Sequence, residues 1–551
     1  MHMRRVSLVL AATLGLALLS GCSKSTPGTS PDAAAPSKSR LDALSTVPVS
    51  QLHWAGRKRL AADGSATNFM AVWNLPASRQ LEAQTLDRFA PASWRLLKGD
   101  AATNGAPIQL LRPLLDDLVQ EESYLEIRHA TNAPGDLVIA IRLEDVRARL
   151  WSTNLSAVIE SLTGVPAVVT SDGWSFKKSD VLGLVELKRV ADWTLVSVAR
   201  ENLSLMGDFA ARIQRDSVPF GNRTSNYWIE ANLNLEHLAG GLARELKLPA
   251  DLPRVSLAVT GDGENVRTRG ELTFSSALNL KLDPWITPTN RIREPLISFI
   301  AVRGMQSWLS SLEHWQKLGI GDAPNQAYGW SYPGIPYQTH LAASWPDASN
   351  RLAAVLGRSV TNGSSWLKSN GMGSIMSWNK GNILSWVEIP FITPDLNIMR
   401  VGETDFVLGS FFPNRPGTKH EPVELYQQLS SASNTVLYSW EITQSHIEGW
   451  TDIGQLLRIG LRREQLPQKS RSMDFLLAAA PKLGNCVTSV LMTDTNRLSF
   501  VRKSTVGMTG LELHLLADWL ESPEFPRGLH TLLVPAKPIV KSDRPRLPGS
   551  P

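Results

Sequence analysis

The sequence predicts an α+β fold of two similar halves, each a largely antiparallel sheet with helices on one face. Three observations lead there. Short apolar runs recur along the chain between turn residues, and other stretches space their apolar residues as helices do. Strands come in groups rather than alternating strictly with helices, which favours antiparallel pairing over a parallel α/β sheet. The same kinds of segment also occur twice in the same order, the mark of an internal repeat.

Taken in order, Val138–Ile141 reads as a strand and is followed by a helix from Asn154 to a terminating glycine, Gly164; Gln338–Leu341 and Asp347–Gly357 repeat the pattern. Val181–Glu186 resembles Ile383–Glu388, and further apolar runs follow: Trp193–Val198 in one half, Leu396–Met399 and Phe406–Leu408 in the other. Tyr227–Ala231 resembles Val436–Trp440. Each leads into helical spacing, through Leu235, Leu238, Leu242 and Leu246 or through Ile453, Leu456, Leu457 and Leu461, with Thr451 placed as a cap. The closing segments match best. Val255–Asp262 resembles Val487–Asp494, and two strand-like runs are expected after each: Val266–Phe274 and Ala277–Leu282, then Leu498–Lys503 and Gly510–Leu516. Trp54-Ala55-Gly56 and Val302-Arg303-Gly304 open the two halves. The expected boundaries are 49–290 and 291–535, with a disordered, basic, Pro-rich tail over 536–551.

Composition limits the function. At 43% hydrophobic and 19% charged residues the chain is globular, and 551 residues exceed one ordinary core. A net charge of +5 is small for this length, and the lysines and arginines are scattered, so no nucleic-acid surface is expected. Only Cys22 and Cys486 are present. Cys486, just before an apolar run, is expected to be a buried, inert thiol.

The N-terminus carries the most specific signal. Arg4 and Arg5 precede an uncharged stretch, Val6–Leu19, shorter than the roughly 20 apolar residues that span a bilayer. Leu19-Ser20-Gly21-Cys22 follows and resembles the lipobox of bacterial lipoproteins. The resemblance covers residues 1–22. It implies a signal peptide over 1–21, cleavage before Cys22, and lipid on the Cys22 thiol and amine, an anchor contributing about 0.8 kcal/mol per buried methylene. With Ser23 after the cysteine, it implies export to the outer membrane facing the periplasm. Residues 22–48 are Ser-, Pro-, Ala- and Lys-rich and read as a flexible lipidated tether.

Familiar catalytic patterns do not occur. There is no His-Glu-x-x-His, Gly-x-Ser-x-Gly, P-loop or dinucleotide fingerprint, and the 10 histidines are spread singly, so neither a metal site nor a cofactor is expected. Ser365-x-x-Lys368 and Ser175-x-x-Lys178 match a penicillin-binding-protein motif without its companions. Asp172, Glu186 and Glu388 are carboxylates that glycoside hydrolysis would require in a pair at a set separation. Tryptophan is abundant, 18 against 7 tyrosines. Most sit at core-like positions, but Trp330, Tyr332, Tyr337 and Trp345, then Trp366, Trp378 and Trp386, fall among glycines and prolines, where aromatic residues often form binding surfaces. These seven are the candidate ligand contacts, and Cys22 is the lipidation site. The expected function is a membrane-anchored, non-enzymatic envelope module that binds lipid, glycan or another envelope protein. Two alternatives stay open: a lipid or glycan carrier with a cleft between the halves, and a hydrolase of envelope polymers.

Overall fold

The structure, a computed structural model, describes residues 50–98, 107–130, 133–178, 183–199, 205–220, 226–235, 252–312, 315–316, 321–334, 338–348, 350–351, 364, 368, 373–378, 383–388, 393–412, 420–460, 470–522 and 525. They form an α+β fold around one 20-stranded sheet. Its strands, in chain order, are β1 (Ser50–Trp54), β2 (Ser123–Ala130), β3 (Ala133–Arg142), β4 (Val168–Thr170), β5 (Gly173–Lys178), β6 (Gly183–Val190), β7 (Trp193–Ala199), β8 (Ile229–Asn234), β9 (Arg254–Gly261) and β10 (Val266–Thr273). Then come β11 (Ser298–Arg303), β12 (Gln326–Tyr332), β13 (Gln338–Ser344), β14 (Ser374–Trp378), β15 (Ile383–Val387), β16 (Asp395–Val401), β17 (Thr404–Ser410), β18 (Thr435–Ile442), β19 (Asn485–Asp494) and β20 (Arg497–Ser504). The helices among the described residues are α1 (Arg57–Ala62), α2 (Thr67–Trp73), α3 (Pro76–Lys98), α4 (Ile108–Gln120), α5 (Asp145–Thr163), α6 (Leu205–Asp216), α7 (Gln306–Ser311), α8 (Val423–Ser430), α9 (Thr443–Gly460), α10 (Arg471–Ala479) and α11 (Gly510–Glu521). None of them is long and apolar enough to cross a membrane.

All pairings are antiparallel. From one edge the order is β4-β5-β6-β7-β3-β2-β1-β8-β9-β10. A full-length β10–β20 ladder joins this run to a second, β20-β19-β18-β11-β12-β13-β17-β16-β15-β14.

Helices cover both faces of the sheet at β3 and β7, not one face as the sequence led us to expect. The cause is visible in β7, whose every residue is buried; a strand with no polar face needs cover on both sides. Met206, Phe209 and Ile213 of α6 pack over Val138, Ala140, Trp193 and Leu195. On the opposite face, Trp151 and Ile159 of α5 meet Ile139, Ile141, Val196 and Val198. Each such large side chain taken out of water contributes about 1.5–3 kcal/mol. α6 is also fixed electrostatically. Glu126 of β2, fully buried, accepts from Arg212 of α6 at 3.0 Å, Arg128 at 2.8 Å and Gln51 at 3.0 Å. Buried carboxylates persist only with such partners.

A second helical layer unites distant parts of the chain. Ile447 of α9, Leu476 of α10 and Leu513 and Ala517 of α11 pack with Val72 of α2 and Leu81 of α3. Glu441 at the end of β18 accepts from the Gly510 amide at 2.6 Å, opening α11, and from His446 of α9, whose Nε2 accepts from Trp450 at 2.8 Å.

Several local expectations change. Ala277–Leu282 lies outside any strand. Gly510–Leu516 is helical, because Thr509 and Glu512 form a capping box that starts α11. Thr451 lies inside α9 and is buried rather than capping it. Gly164 does end α5 in the left-handed region, with φ 71°. Of the helices expected over 234–248 and 347–357, residues 236–248 and 352–357 lie outside the described residues, as do residues 1–49 and the tail expected over 536–551.

Candidate binding cleft

Of the aromatic residues singled out in the sequence, Trp330, Tyr332, Trp345 and Trp386 are buried or half-buried. The glycine- and proline-rich stretch from Gly329 is part of a strand pair, β12 and β13, whose register matches Gly329 with Leu341. Glycine is required there: a Cβ would stand 2.8 Å from Ile300 Cγ2 on the neighbouring strand. Trp330 is therefore core, 2% exposed and stacked on His340 at 5.4 Å. The Tyr332 hydroxyl accepts from the Arg293 amide at 3.1 Å. Trp345 is buried, donates to the Asp322 carbonyl at 2.9 Å and packs against Trp315. Trp386 is half-buried in β15 and Trp378 lies in β14, the edge strand. Tyr337, Trp366 and Cys22 lie outside the described residues. Among the described residues, the structure brings Trp330 and Tyr332 to the same buried histidine, His340. The carboxylates are also dispersed: Asp172 pairs with Lys188 at 2.7 Å beside one edge of the sheet, and Glu388 accepts from Ser374 at 2.9 Å beside the other.

A cavity lies elsewhere, where β1, β2 and β3 meet α1 and the turn between β6 and β7. One chamber, of about 350 Å³, is lined by Arg59, Glu122, Arg142, Asp192, Trp193 and Ile213, among others. A second, of about 250 Å³, adds Ala55, Lys58 and Glu121 and shares Arg59, Glu122 and Arg142 with the first. Local backbone builds this corner. Gly56, at φ 83°, turns the chain from β1 into α1 so close to the Gln120–Glu122 backbone that a Cβ would sit 2.6 Å from the Glu121 carbonyl carbon. Ala191 (φ 50°), in the two-residue β6–β7 turn, and Ser217 (φ 63°), ending α6, hold left-handed conformations without being glycine. Each costs roughly 1–2 kcal/mol, and both line the first chamber. Such strain concentrates at binding sites more than elsewhere.

Glu122 is the centre of the charge distribution. His53, buried in β1, donates from Nε2 to its carboxylate at 3.1 Å and stacks on Tyr124 at 4.3 Å. Arg59 and Arg142, 44% and 52% exposed, stand 3.6 and 3.5 Å from the same carboxylate, and Arg142 reaches Asp192 at 3.5 Å. Burial opposes the charged form of Glu122, but the His53 hydrogen bond and the charges of His53, Arg59 and Arg142 outweigh it. The carboxyl is held below its ordinary range. Burial, and then the Glu122 charge, pushes the Tyr124 phenol well above its usual value. The chamber therefore offers a fixed anion on its floor, two half-exposed guanidinium groups at its mouth, and an apolar wall of Trp193, Ile213 and Val218. No sequence motif marks it, because its residues come from five segments far apart in the chain. A Glu121-Glu122 pair immediately before an apolar strand is the one local hint.

No family model and no curated protein matches this chain. A solved structure, "Structure of crystal form I of TP0453", is similar over 43% of this chain and 99% of its own, at 10% sequence identity and a TM-score of 0.21. No function transfers at that level of likeness.

Proposed function

We propose that the protein is a lipid-anchored, non-enzymatic binding module of the bacterial envelope, built from two copies of one β-rich unit, β1–β10 and β11–β20. The cleft at Glu122 is its ligand site. The observation that carries binding over catalysis is the state of Glu122. A general acid or base works best with a pKa near the working pH, whereas Glu122 is held ionised by His53 and flanked by two arginines, a fixed charge suited to recognition.

Two copies are supported by the strand order, since each run repeats the other strand for strand when counted from β10 and β20. Register extends the match to residues. Placing Gly56 on Gly304, each at positive φ just past its strand, sets Trp54 opposite Ser123 where Val302 is opposite Ala327, and brings Tyr124 onto Tyr328 and Glu122 onto Gln326. Followed through β3 and β7, the correspondence brings Trp193 onto Phe406. The Tyr124–Trp193 ring contact of 5.3 Å then has its counterpart in Tyr328–Phe406 at 6.5 Å. Equivalent strands pairing antiparallel at β10–β20 is also what a two-fold relation requires. The junction is a continuous ladder, and the cleft lies inside the first unit rather than between the two.

The anchor rests on the lipobox resemblance at Cys22. Cys22→Ala is expected to abolish fatty-acid labelling and leave an unprocessed precursor or a soluble product, read by metabolic labelling and fractionation. A variant that still labels and sediments with membranes would remove the lipid anchor from the account.

A further inference from the structure

The corner of the second unit that corresponds to the cleft is already filled, and by the chain itself. Residues 279–286, between β10 and β11, run through it outside any helix or strand. Ser307 donates to the Asn279 carbonyl at 3.2 Å, Asn325 to the Lys281 carbonyl at 2.7 Å and Arg303 to the Asp283 carbonyl at 2.7 Å. The Gln326 side chain grips the backbone at two points: Nε2 donates to the Pro284 carbonyl at 2.7 Å, and Oε1 accepts from the Ile286 amide at 2.9 Å. Between these points Trp285 turns inward, edge-on to Tyr328 at 6.0 Å, with the Arg303 guanidinium 4.5 Å over its ring.

Residues that hold this segment have counterparts at the open chambers. In the strand register Glu121 falls at Asn325, Glu122 at Gln326 and Ala55 at Arg303; Arg142, also at the chambers, falls at Ser344, and Arg59 lies on α1 as Ser307 lies on α7. The two corners therefore share a backbone frame and differ in what fills it.

We propose that the Glu122 cleft binds an extended polypeptide segment of a partner protein, laid through the first unit as residues 279–286 lie in the second. The inference rests on the two-unit reading above. Glu122 accepts a backbone amide of the bound segment, as Gln326 Oε1 accepts that of Ile286, so proline is excluded at that position. Arg59 and Arg142 donate to its carbonyl groups or to an acidic side chain, and the wall of Trp193, Ile213 and Val218 takes one large apolar residue in the place Trp285 occupies. Backbone hydrogen bonds give the affinity in such complexes and side-chain pockets the specificity. A protein that reads an extended segment by one anchor and its backbone suits an assembly role, where a partner's tail or linker is held without being cut.

The probe is a fluorescein-labelled peptide with the sequence of residues 279–287 (NLKLDPWIT), titrated with the full-length mature protein in detergent and read by anisotropy. Saturable binding is expected, at least tenfold weaker for a scrambled peptide of the same composition. Arg59→Trp, which fills the mouth of both chambers, should weaken binding at least tenfold. Arg142→Glu, an exposed change, should do the same if Arg59→Trp fails to fold. Glu122→Gln restores the donor–acceptor pair of Gln326 and should tighten binding of this peptide about threefold or more. Equal affinity for the scrambled peptide, or affinity unchanged within twofold in a folded cleft variant, overturns the proposal. Such a failure is separable from failure of the two-unit reading, which an experimental structure tests without any peptide, by whether the backbones of β1–β10 and β11–β20 superpose strand for strand.

Discussion

His340 shows how a single residue converts burial into pH dependence. It is 2% exposed in β13, and burial, then the Arg291 charge, lowers its pKa from the ordinary 6.5 to about 4. The unfolded chain therefore takes up a proton at a pH where the folded chain resists it. Stability is greatest above pH 6.5 and falls as the pH drops towards about 4, by at most roughly 1.4 kcal/mol per pH unit from this group. His340→Phe keeps a ring against Trp330 and removes the titration. Urea midpoints at pH 7.5 and pH 5 should then differ less for the variant than for the natural protein; equal losses in both would sink the idea. Residue by residue, the sequence was legible where chemistry follows from burial alone. Cys486, read as an inert thiol, is buried with its pKa pushed up to about 12 by burial. It misled where composition stood in for position. Gly329 looks like a loop residue but sits mid-strand, and it carries Trp330 into the core instead of onto a surface.

At the scale of elements, most strands were legible because their alternation is local: β3, β6, β7, β8, β9, β10, β13, β15, β16, β17, β18, β19 and β20 all fall on runs marked in the sequence. What could not be read is which strands correspond. Val181–Glu186 and Ile383–Glu388 look alike, yet they fall on β6 and β15, and the two-unit reading makes β16 the counterpart of β6. Apolar strands of similar length resemble one another, and only hydrogen-bonded register separates them. The cleft was illegible for a related reason, since its charges converge only after β1, β2, β3 and the β6–β7 turn are assembled. The segment that fills the second corner gives an element-scale expectation. Trp285→Ala removes the ring that packs on Tyr328 and under Arg303, and should lower the unfolding free energy by about 2–4 kcal/mol. A loss below about 0.5 kcal/mol, measured by urea denaturation, would mean that residues 279–286 are not held in that corner.

Across the whole molecule one sheet runs unbroken through the β10–β20 ladder, the joint between the two units we propose. The sequence gives no sign of this joint, because the two strands are far apart in the chain and neither has an unusual composition. In the ladder Arg269 lies directly opposite Val501, and both side chains are exposed, so both positions can be changed without opening the core. Directly opposed residues have Cβ atoms about 4.5–5.5 Å apart, while diagonal ones two residues off are about 7–8 Å apart, too far for an unstrained disulfide. Cys486 is buried and does not compete. The measurement is oxidation of the double variant Arg269→Cys, Val501→Cys beside the offset control Arg269→Cys, Ser499→Cys, with cross-linked peptides identified by mass spectrometry. The opposed pair is expected to close within the monomer and the control to stay open; a control that closes as readily, or an opposed pair that does not close at all, would contradict the β10–β20 joint.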